Sequence, residues 1–119
     1  MDIEKKKQFV EQLHERMERC KVVILTDYKG LDVATVTELR DKLREANLEY
    51  QVIKNTMLRR ASEGTGVESI KSYFKGPSAI VISYDDPVAP AKIITNFAKD
   101  HEKLEIKVGV MDGQVLDTS

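Results

Sequence analysis

A chain of 119 residues, 41% of them apolar, is long enough for one domain with a modest hydrophobic core. Its formal net charge of −1 excludes a basic field over the whole molecule, so nucleic-acid binding would require a local basic patch. The single cysteine, Cys20, excludes an internal disulfide framework, and the N-terminal segment lacks the apolar core of a signal peptide. No apolar stretch approaches the length of a membrane span. The sequence therefore predicts a soluble cytoplasmic protein with one domain, residues 1–119.

The first part of the chain predicts a helix, a strand and a second helix. Residues 4–19 carry apolar side chains at helical spacing with charges between them. Residues 21–26 form a continuous run rich in β-branched side chains, which is typical of a central strand covered on both faces. Asp32 is a suitable N-cap for a helix that runs to about Ala46. The expected core stripe of that helix is Val36, Leu39, Leu43 and Ala46.

The middle of the chain alternates and then becomes helical. Residues 48–53 predict a strand that presents Leu48, Tyr50 and Val52 to the core. Asn55 or Thr56 can cap a short helix. That helix would bury Met57, Leu58 and Ala61 and turn Arg59 and Arg60 to solvent. A further short helix is expected over residues 67–73.

The last part predicts a strand, a helix and a small hairpin. Residues 78–84 form a second continuous apolar strand, and a helix follows that starts between Pro87 and Pro90. Residues 104–108 alternate as a half-exposed strand. Asp112-Gly113 is a strong signal for a two-residue hairpin turn, which would fold residues 114–116 back on the preceding strand.

Without its ends, this order is β-α-β-β-α-β. Two split β-α-β units with right-handed crossovers predict a ferredoxin-like α+β sandwich with a mainly antiparallel sheet. Two helices cover one face of that sheet. The N-terminal helix, the inserted short helices and the C-terminal hairpin are additions to this scaffold.

No constellation of residues indicates an enzyme, a metal site or a cofactor. Cys20 lies on the apolar stripe of the first helix or at its end, and a buried structural cysteine explains it fully. His14 and His101 are explained as surface histidines, and no Cys/His pair has zinc-ligand spacing. The glycines form neither a Walker loop nor a dinucleotide fingerprint. We expect no catalytic residue, no bound metal and no cofactor.

The remaining feature is a basic stretch between Lys54 and Lys75 in a chain that is acidic overall. Its lysines and arginines could neutralise phosphates, and Asn55 and Thr56 at a helix start could add donors. Tyr28 could stack on an unpaired base, and Lys29 could reach a phosphate. The alternative is a solvated helix face beside a turn tyrosine. The pattern alone favours neither interpretation.

Three longer runs of the sequence are similar to one known family. They are KVVILTDYKGLDVATVTELRDKLREANLEYQVIKNTMLRRA, FKGPSAIVISYDDPVAPAKIITNFAK and LEIKVGVMDGQVLD. In this order and spacing they resemble the bacterial stalk-base family, protein ten of the large ribosomal subunit. The most specific pieces are the turn at residues 27–31, the segment 52–56 and the segment 75–79.

The resemblance implies a structural, non-catalytic role on the ribosome. The family's N-terminal domain binds 23S ribosomal RNA at the GTPase-associated centre, beside ribosomal protein eleven. A long C-terminal helix carries dimers of the stalk protein. We expect that helix to be absent here, so stalk binding is not assigned to the 119 residues, and no membrane partner is expected.

The resemblance also implies a set of RNA-facing residues. These are Tyr28, Lys29, Gly30, Lys54, Asn55, Thr56, Arg59, Arg60, Lys75 and Gly76. The expected mechanism is recognition of the shape of folded RNA, with basic side chains on phosphates. The alternative is a protein-interaction or regulatory module on the same scaffold, because one fold hosts many functions.

Overall fold

A computed structural model describes residues 2–116. The predicted domain also includes Met1 and residues 117–119, which lie outside the described residues. The described chain forms four α-helices, one 3-10 helix and five strands. In chain order they are α1 (Ile3–Arg19), β1 (Val22–Asp27), α2 (Val33–Glu45), β2 (Glu49–Val52), α3 (Asn55–Ser62), the 3-10 helix (Gly66–Tyr73), β3 (Ala79–Ser83), α4 (Ala89–Asp100), β4 (Glu105–Met111) and β5 (Gln114–Leu116).

The five strands form one antiparallel sheet in the order β2-β3-β1-β4-β5. In the chain, α2 connects β1 to β2, and α4 connects β3 to β4. This arrangement confirms the predicted ferredoxin-like α+β sandwich. The central strands β1 and β3 are buried along almost their whole length, as their continuous apolar sequences predicted.

The sheet separates two apolar cores. One lies under α2 and α4, and its members include Ile24, Leu39, Leu43, Ile94 and Phe97. The other lies under α1, α3 and the 3-10 helix, and its members include Leu13, Met17, Leu58, Ile70 and Phe74. The segments predicted as additions to the scaffold therefore cover the second face of the sheet. That second layer explains why β1 and β3 are apolar on both faces.

Two residues that were predicted to face the core are exposed. Val52 is 47% exposed because it lies at the end of β2, an edge strand, whereas Ile53 next to it is only 6% exposed and packs in the core under α1 and α3. Ala46 is exposed because α2 ends at Glu45 and Ala46 is its C-cap. Periodicity could not show either effect, because it does not reveal where a covering layer stops.

The predicted turn and cap residues behave as their chemistry requires. Asp32 Oδ1 accepts a 2.7 Å hydrogen bond from the Thr35 N–H at the start of α2, which confirms the N-cap. Asp112 (φ 51°) and Gly113 (φ 81°) both adopt left-handed backbone angles in the hairpin between β4 and β5. The helix α4 starts at Ala89, and Pro90 lies in its first turn.

Candidate nucleic-acid interface

Four strand ends meet at one end of the sheet. The strands β1 and β2 finish there at Asp27 and Val52, and β3 and β4 begin there at Ala79 and Glu105. The register pairs Val52 with Ala79 and Asp27 with Glu105, so these residues lie side by side. The loops that follow or precede them emerge at the same place. We call this place the loop surface; it comprises residues 28–30, 54–56 and 75–76.

A hydrogen bond across β3 shows that the segments 28–30 and 54–56 start close together. The hydroxyls of Thr26 on β1 and Tyr50 on β2 are 2.8 Å apart, and Thr26 Oγ1 also donates to the Ala79 carbonyl at 3.2 Å. Burial raises the pKa of Tyr50, so its hydroxyl keeps its proton at neutral pH. With one strand between them, β1 and β2 are about 10 Å apart. The two loops therefore start within a few side-chain lengths of each other.

The turn after β1 has a buried side and an exposed side. Tyr28 is half-buried and packs against the core under α2 and α4, while Lys29 and Gly30 are exposed. The Lys29 N–H donates to Asp27 Oδ1 at 2.8 Å, which fixes the turn. Gly30 has φ 89°, and a Cβ there would lie 2.9 Å from Lys103 Cδ. The tyrosine thus has a packing role, and the lysine and the glycine are the accessible part.

The start of α3 differs from the prediction that Asn55 or Thr56 caps it. Lys54 is the N-cap residue, and it makes no side-chain capping hydrogen bond. Asn55 Nδ2 instead donates a 2.8 Å hydrogen bond to the Gly76 carbonyl, which lies 21 residues further along the chain. The first N–H groups of α3 are left without a side-chain cap, and Lys54 and Thr56 are exposed beside them.

The loop before β3 is held by a lysine that the sequence did not single out. Lys107 Nζ on β4 donates to the Lys75 carbonyl and, at 3.2 Å, to Ser78 Oγ. The Lys75 side chain and Gly76 remain exposed, and Gly76 (φ 66°) has no atom within 4 Å of where a Cβ would lie. Lys107 was interpreted only as the polar side of an alternating strand. Its role depends on the pairing of β1 with β3 and β4, which no local pattern shows.

The adjacent arginines of α3 point in different directions. Arg59 is half-buried, and its Nη2 donates a 2.7 Å hydrogen bond to the Phe74 carbonyl beside the loop surface. Arg60 is exposed and lines a groove between α3 and α1 together with Glu11, Glu15 and Glu63. Neighbouring residues on a helix are separated by about 100° of rotation about its axis, so their side chains cannot point to the same surface. The loop surface contains eight of the ten predicted residues, Arg59 lies beside it, and Arg60 lies among carboxylates.

The groups considered for catalysis serve the fold. Cys20 Sγ donates to the Met17 carbonyl at 3.0 Å, and burial raises the pKa of the thiol, which opposes thiolate formation. His14 Nδ1 donates to the Ala61 carbonyl at 2.8 Å. His101 bonds its own helix at Phe97 and stacks on that ring. Within residues 2–116, no three His, Cys, Asp or Glu side chains are grouped to hold a metal ion.

None of the helices in residues 2–116 combines the length and the apolarity needed to cross a bilayer. The fold and the loop surface together define an α+β domain of ferredoxin-like topology in which three exposed lysines, Lys29, Lys54 and Lys75, lie on segments at one end of the sheet. The family model of ribosomal protein L10 matches residues 1–99 of the chain. The chain belongs to this family.

Several curated relatives are similar over nearly the whole chain. The large ribosomal subunit protein uL10 of Desulfatibacillum aliphaticivorans is 52% identical over 114 residues, which cover 96% of this chain and 66% of the relative. The protein of the same name from Staphylococcus carnosus is 53% identical over 114 residues, 96% of this chain and 69% of the relative. The protein of the same name from Anaeromyxobacter is 52% identical over 117 residues, which cover 98% of this chain and 67% of the relative. The chain thus spans about two thirds of the length of these relatives.

Membership confirms the resemblance that the sequence suggested. The family consists of structural, non-enzymatic proteins of the large ribosomal subunit, and the chain is accordingly a ribosomal protein of the cytoplasm.

Proposed function

We propose that the loop surface binds folded ribosomal RNA. The segment we assign is that of 23S ribosomal RNA at the GTPase-associated centre, where the domain would form the base of the ribosomal stalk. The observation that carries the proposal is the convergence of three loops, distant in sequence, at one end of the sheet. Each of these three segments carries one exposed lysine, and such a local group of cations is suited to a folded polyanion.

The side chains and the backbone of the loop surface have separate roles in this proposal. The ammonium groups of Lys29, Lys54 and Lys75 are exposed and would contact phosphates, with release of counterions. The uncapped N–H groups at the start of α3 are further donors that suit a phosphate oxygen. Gly76 has open space around it, so the backbone there could approach the RNA closely.

The rigidity of the loops supports recognition by shape. Asn55 joins the start of α3 to the loop at Gly76, and Lys107 holds that same loop at the Lys75 carbonyl. The Lys29 N–H donates to Asp27 and fixes the turn after β1 before RNA arrives. A preorganised site loses less entropy on binding. This matters because the net charge of −1 provides no general attraction to RNA, so affinity must come from the arrangement of the donors.

The partners of the whole ribosomal protein belong to the same proposal. Ribosomal protein eleven would lie beside this domain on the RNA. Dimers of the stalk protein would be carried by the long C-terminal helix of the family.

The test is a binding titration of the 119-residue chain against a transcript of the GTPase-centre RNA over a series of salt concentrations. The variant is Lys54→Glu/Lys75→Glu, in which both changed side chains are exposed. The control is Lys92→Glu/Lys99→Glu, which reverses the same number of charges on the exposed side of α4. Circular dichroism would verify that both variants are folded.

We expect the loop variant to bind at least about tenfold more weakly than the control. The slope of log affinity against log salt should fall by about 1 for each phosphate that the variant no longer neutralises. If the wild-type chain does not prefer this RNA to an unrelated duplex, the proposed function is wrong. If the two variants bind equally well, the assignment of the loop surface is wrong.

A further inference from the structure

A second basic feature runs along the free edge of β2. Because β2 is the outermost strand on its side, its outer edge is not paired with another strand of residues 2–116. A groove of about 940 Å³ follows this edge, lined by β2 itself, by Arg40 and Arg44 of α2 and by Arg16 of α1. These three arginines lie outside the loop surface, so the groove requires its own explanation.

One carbonyl on the outer edge of β2 already has a side-chain partner. The Ile53 N–H donates towards β3, to the Ser78 carbonyl at 3.4 Å. Because polar groups alternate in direction along a strand, the N–H and C=O groups of Tyr50 and Val52 point outward into the groove. Arg40 Nε donates to the Tyr50 carbonyl at 3.4 Å. A peptide adding a further strand here would first have to displace this arginine, which disfavours strand addition.

Two guanidinium groups in the groove have no counter-ion in the described part of the chain. Arg40 and Arg44 are four residues apart and so lie on one face of α2. Neither forms a salt bridge within residues 2–116, whereas Arg16 is bound by Glu49 and by Gln51. Like charges at this spacing destabilise a helix slightly. An anionic ligand on the two arginines would remove that cost and use their flat, forked donors.

Among the described residues, the groove lacks the apolar anchor of a protein-binding site. Val52 is the one large apolar side chain exposed in the groove among these residues. The rest of the accessible lining comes mainly from the three arginines, Asn47, Glu49 and Gln51. Protein interfaces depend on a buried aromatic or aliphatic centre, which this lining does not supply. The phosphodiester backbone of a nucleic acid needs cations and polar donors and no apolar centre.

The groove continues from the loop surface. Val52 lines one end of the groove, and Lys54 of the loop surface is two residues further along the chain. Arg40 lies beside Tyr50, and Arg44 lies one helical turn beyond it. The cations therefore form a track that starts at the loops and follows the edge strand.

We propose that an RNA strand leaving the loop surface follows the β2 groove, with its phosphates on Arg40 and Arg44. This inference rests on the proposed function and extends the RNA-binding surface from the loop end of the sheet to its side. The recognition is of backbone phosphates, so it is independent of base sequence.

The experiment compares Arg40→Glu/Arg44→Glu with the control Lys92→Glu/Lys99→Glu in the same titration against GTPase-centre RNA. Because Arg40 also touches the β2 backbone, Arg44→Glu alone is included; its side chain is exposed and makes no hydrogen bond within residues 2–116. A parallel arm replaces the RNA with a poly-glutamate peptide of similar length.

We expect the double variant to bind the RNA about tenfold more weakly than the control, and Arg44→Glu about threefold. The salt slope should fall by about 0.7 for each single-strand phosphate that is no longer neutralised. Should wild type bind the RNA while both groove variants match the control, the groove proposal fails and the proposed function stands. Loss of poly-glutamate binding in the groove variants with RNA binding intact would assign the groove to an acidic protein instead. Absence of RNA binding by wild type would overturn the proposed function and the groove proposal together.

Discussion

Asn55 Nδ2 donates a 2.8 Å hydrogen bond to the Gly76 carbonyl and so joins the first turn of α3 to the loop that precedes β3. The two residues are 21 positions apart in sequence. Both were singled out as RNA-facing residues, and the structure shows that at least one of them also builds the surface.

We expect Asn55→Ala to lower the free energy of unfolding by about 1 kcal/mol, because one hydrogen bond between loops is lost. Asn55 Oδ1 is buried without a partner in residues 2–116, and its removal offsets part of the loss. RNA affinity should fall too, since the loop at Gly76 is no longer held. Urea denaturation and the RNA titration check this, with Asn96→Ala on the exposed side of α4 as the control. Equal stability of the two variants would show that the tie is unimportant.

Substitution of Arg59 and substitution of Arg60 should have different effects on stability and on RNA affinity. Arg59→Ala removes the 2.7 Å bond to the Phe74 carbonyl and should cost about 1 kcal/mol of stability, given that the arginine is partly exposed. Arg60→Ala removes a cation that lies among the carboxylates of α1 and should change RNA affinity little. Thermal unfolding and RNA titration of both variants measure the difference. A larger loss of RNA affinity in Arg60→Ala than in Arg59→Ala would contradict this placement.

Gly30→Ala tests the turn after β1. Alanine is strained at φ 89°, and its Cβ would displace Lys103, so we expect a loss of about 1 kcal/mol in stability and weaker RNA binding. Gly64→Ala is the matched control, because Gly64 has a similar φ of 80° and no atom within 4 Å of the added Cβ. Both variants should be destabilised, but only Gly30→Ala should bind RNA more weakly. Equal RNA affinity would remove Gly30 from the proposed surface.

Acid should weaken the domain partly through Asp32. Hydrogen bonds from Thr35, from its side chain first and its N–H second, lower the pKa of this carboxyl in the folded state. A lowered pKa gives stability that is present above the unfolded pKa, about 4, and is lost as pH falls through the folded pKa. Asp32→Asn keeps the cap but cannot titrate. Its unfolding temperature should therefore fall less than that of wild type as the pH is lowered from about 5 to about 2, to be measured beside Asp41→Asn as the control.

Local chemistry made the elements predictable. The continuous apolar runs of β1 and β3, the N-cap at Asp32 and the Asp112-Gly113 turn each depend on a few neighbouring residues. The positions that were predicted wrongly, such as Val52 and the cap of α3, depend on what lies across from them. A pattern within one segment cannot show where the covering layer ends or which distant carbonyl a side chain reaches.

The candidate site likewise has features that the sequence could predict and features that it could not. Its lysines and glycines could be selected from the sequence and from the family resemblance. The clamp by Lys107, the separation of Arg60 from Arg59 and the β2 groove could not, because each is a relationship between segments that only the sheet brings together.

The sequence by itself determined the α+β scaffold, the family and most of the residues that we propose for RNA binding, because periodicity, turn chemistry and motif order are local properties of a chain. Only the tertiary structure decided which of those residues share a surface. The register of β1, β2 and β3 places three loops at one end of the sheet and leaves the edge of β2 beside Arg40 and Arg44. Pairing between strands fixes the position of every loop attached to them, and that pairing is set by the packing of the whole core on both faces of the sheet.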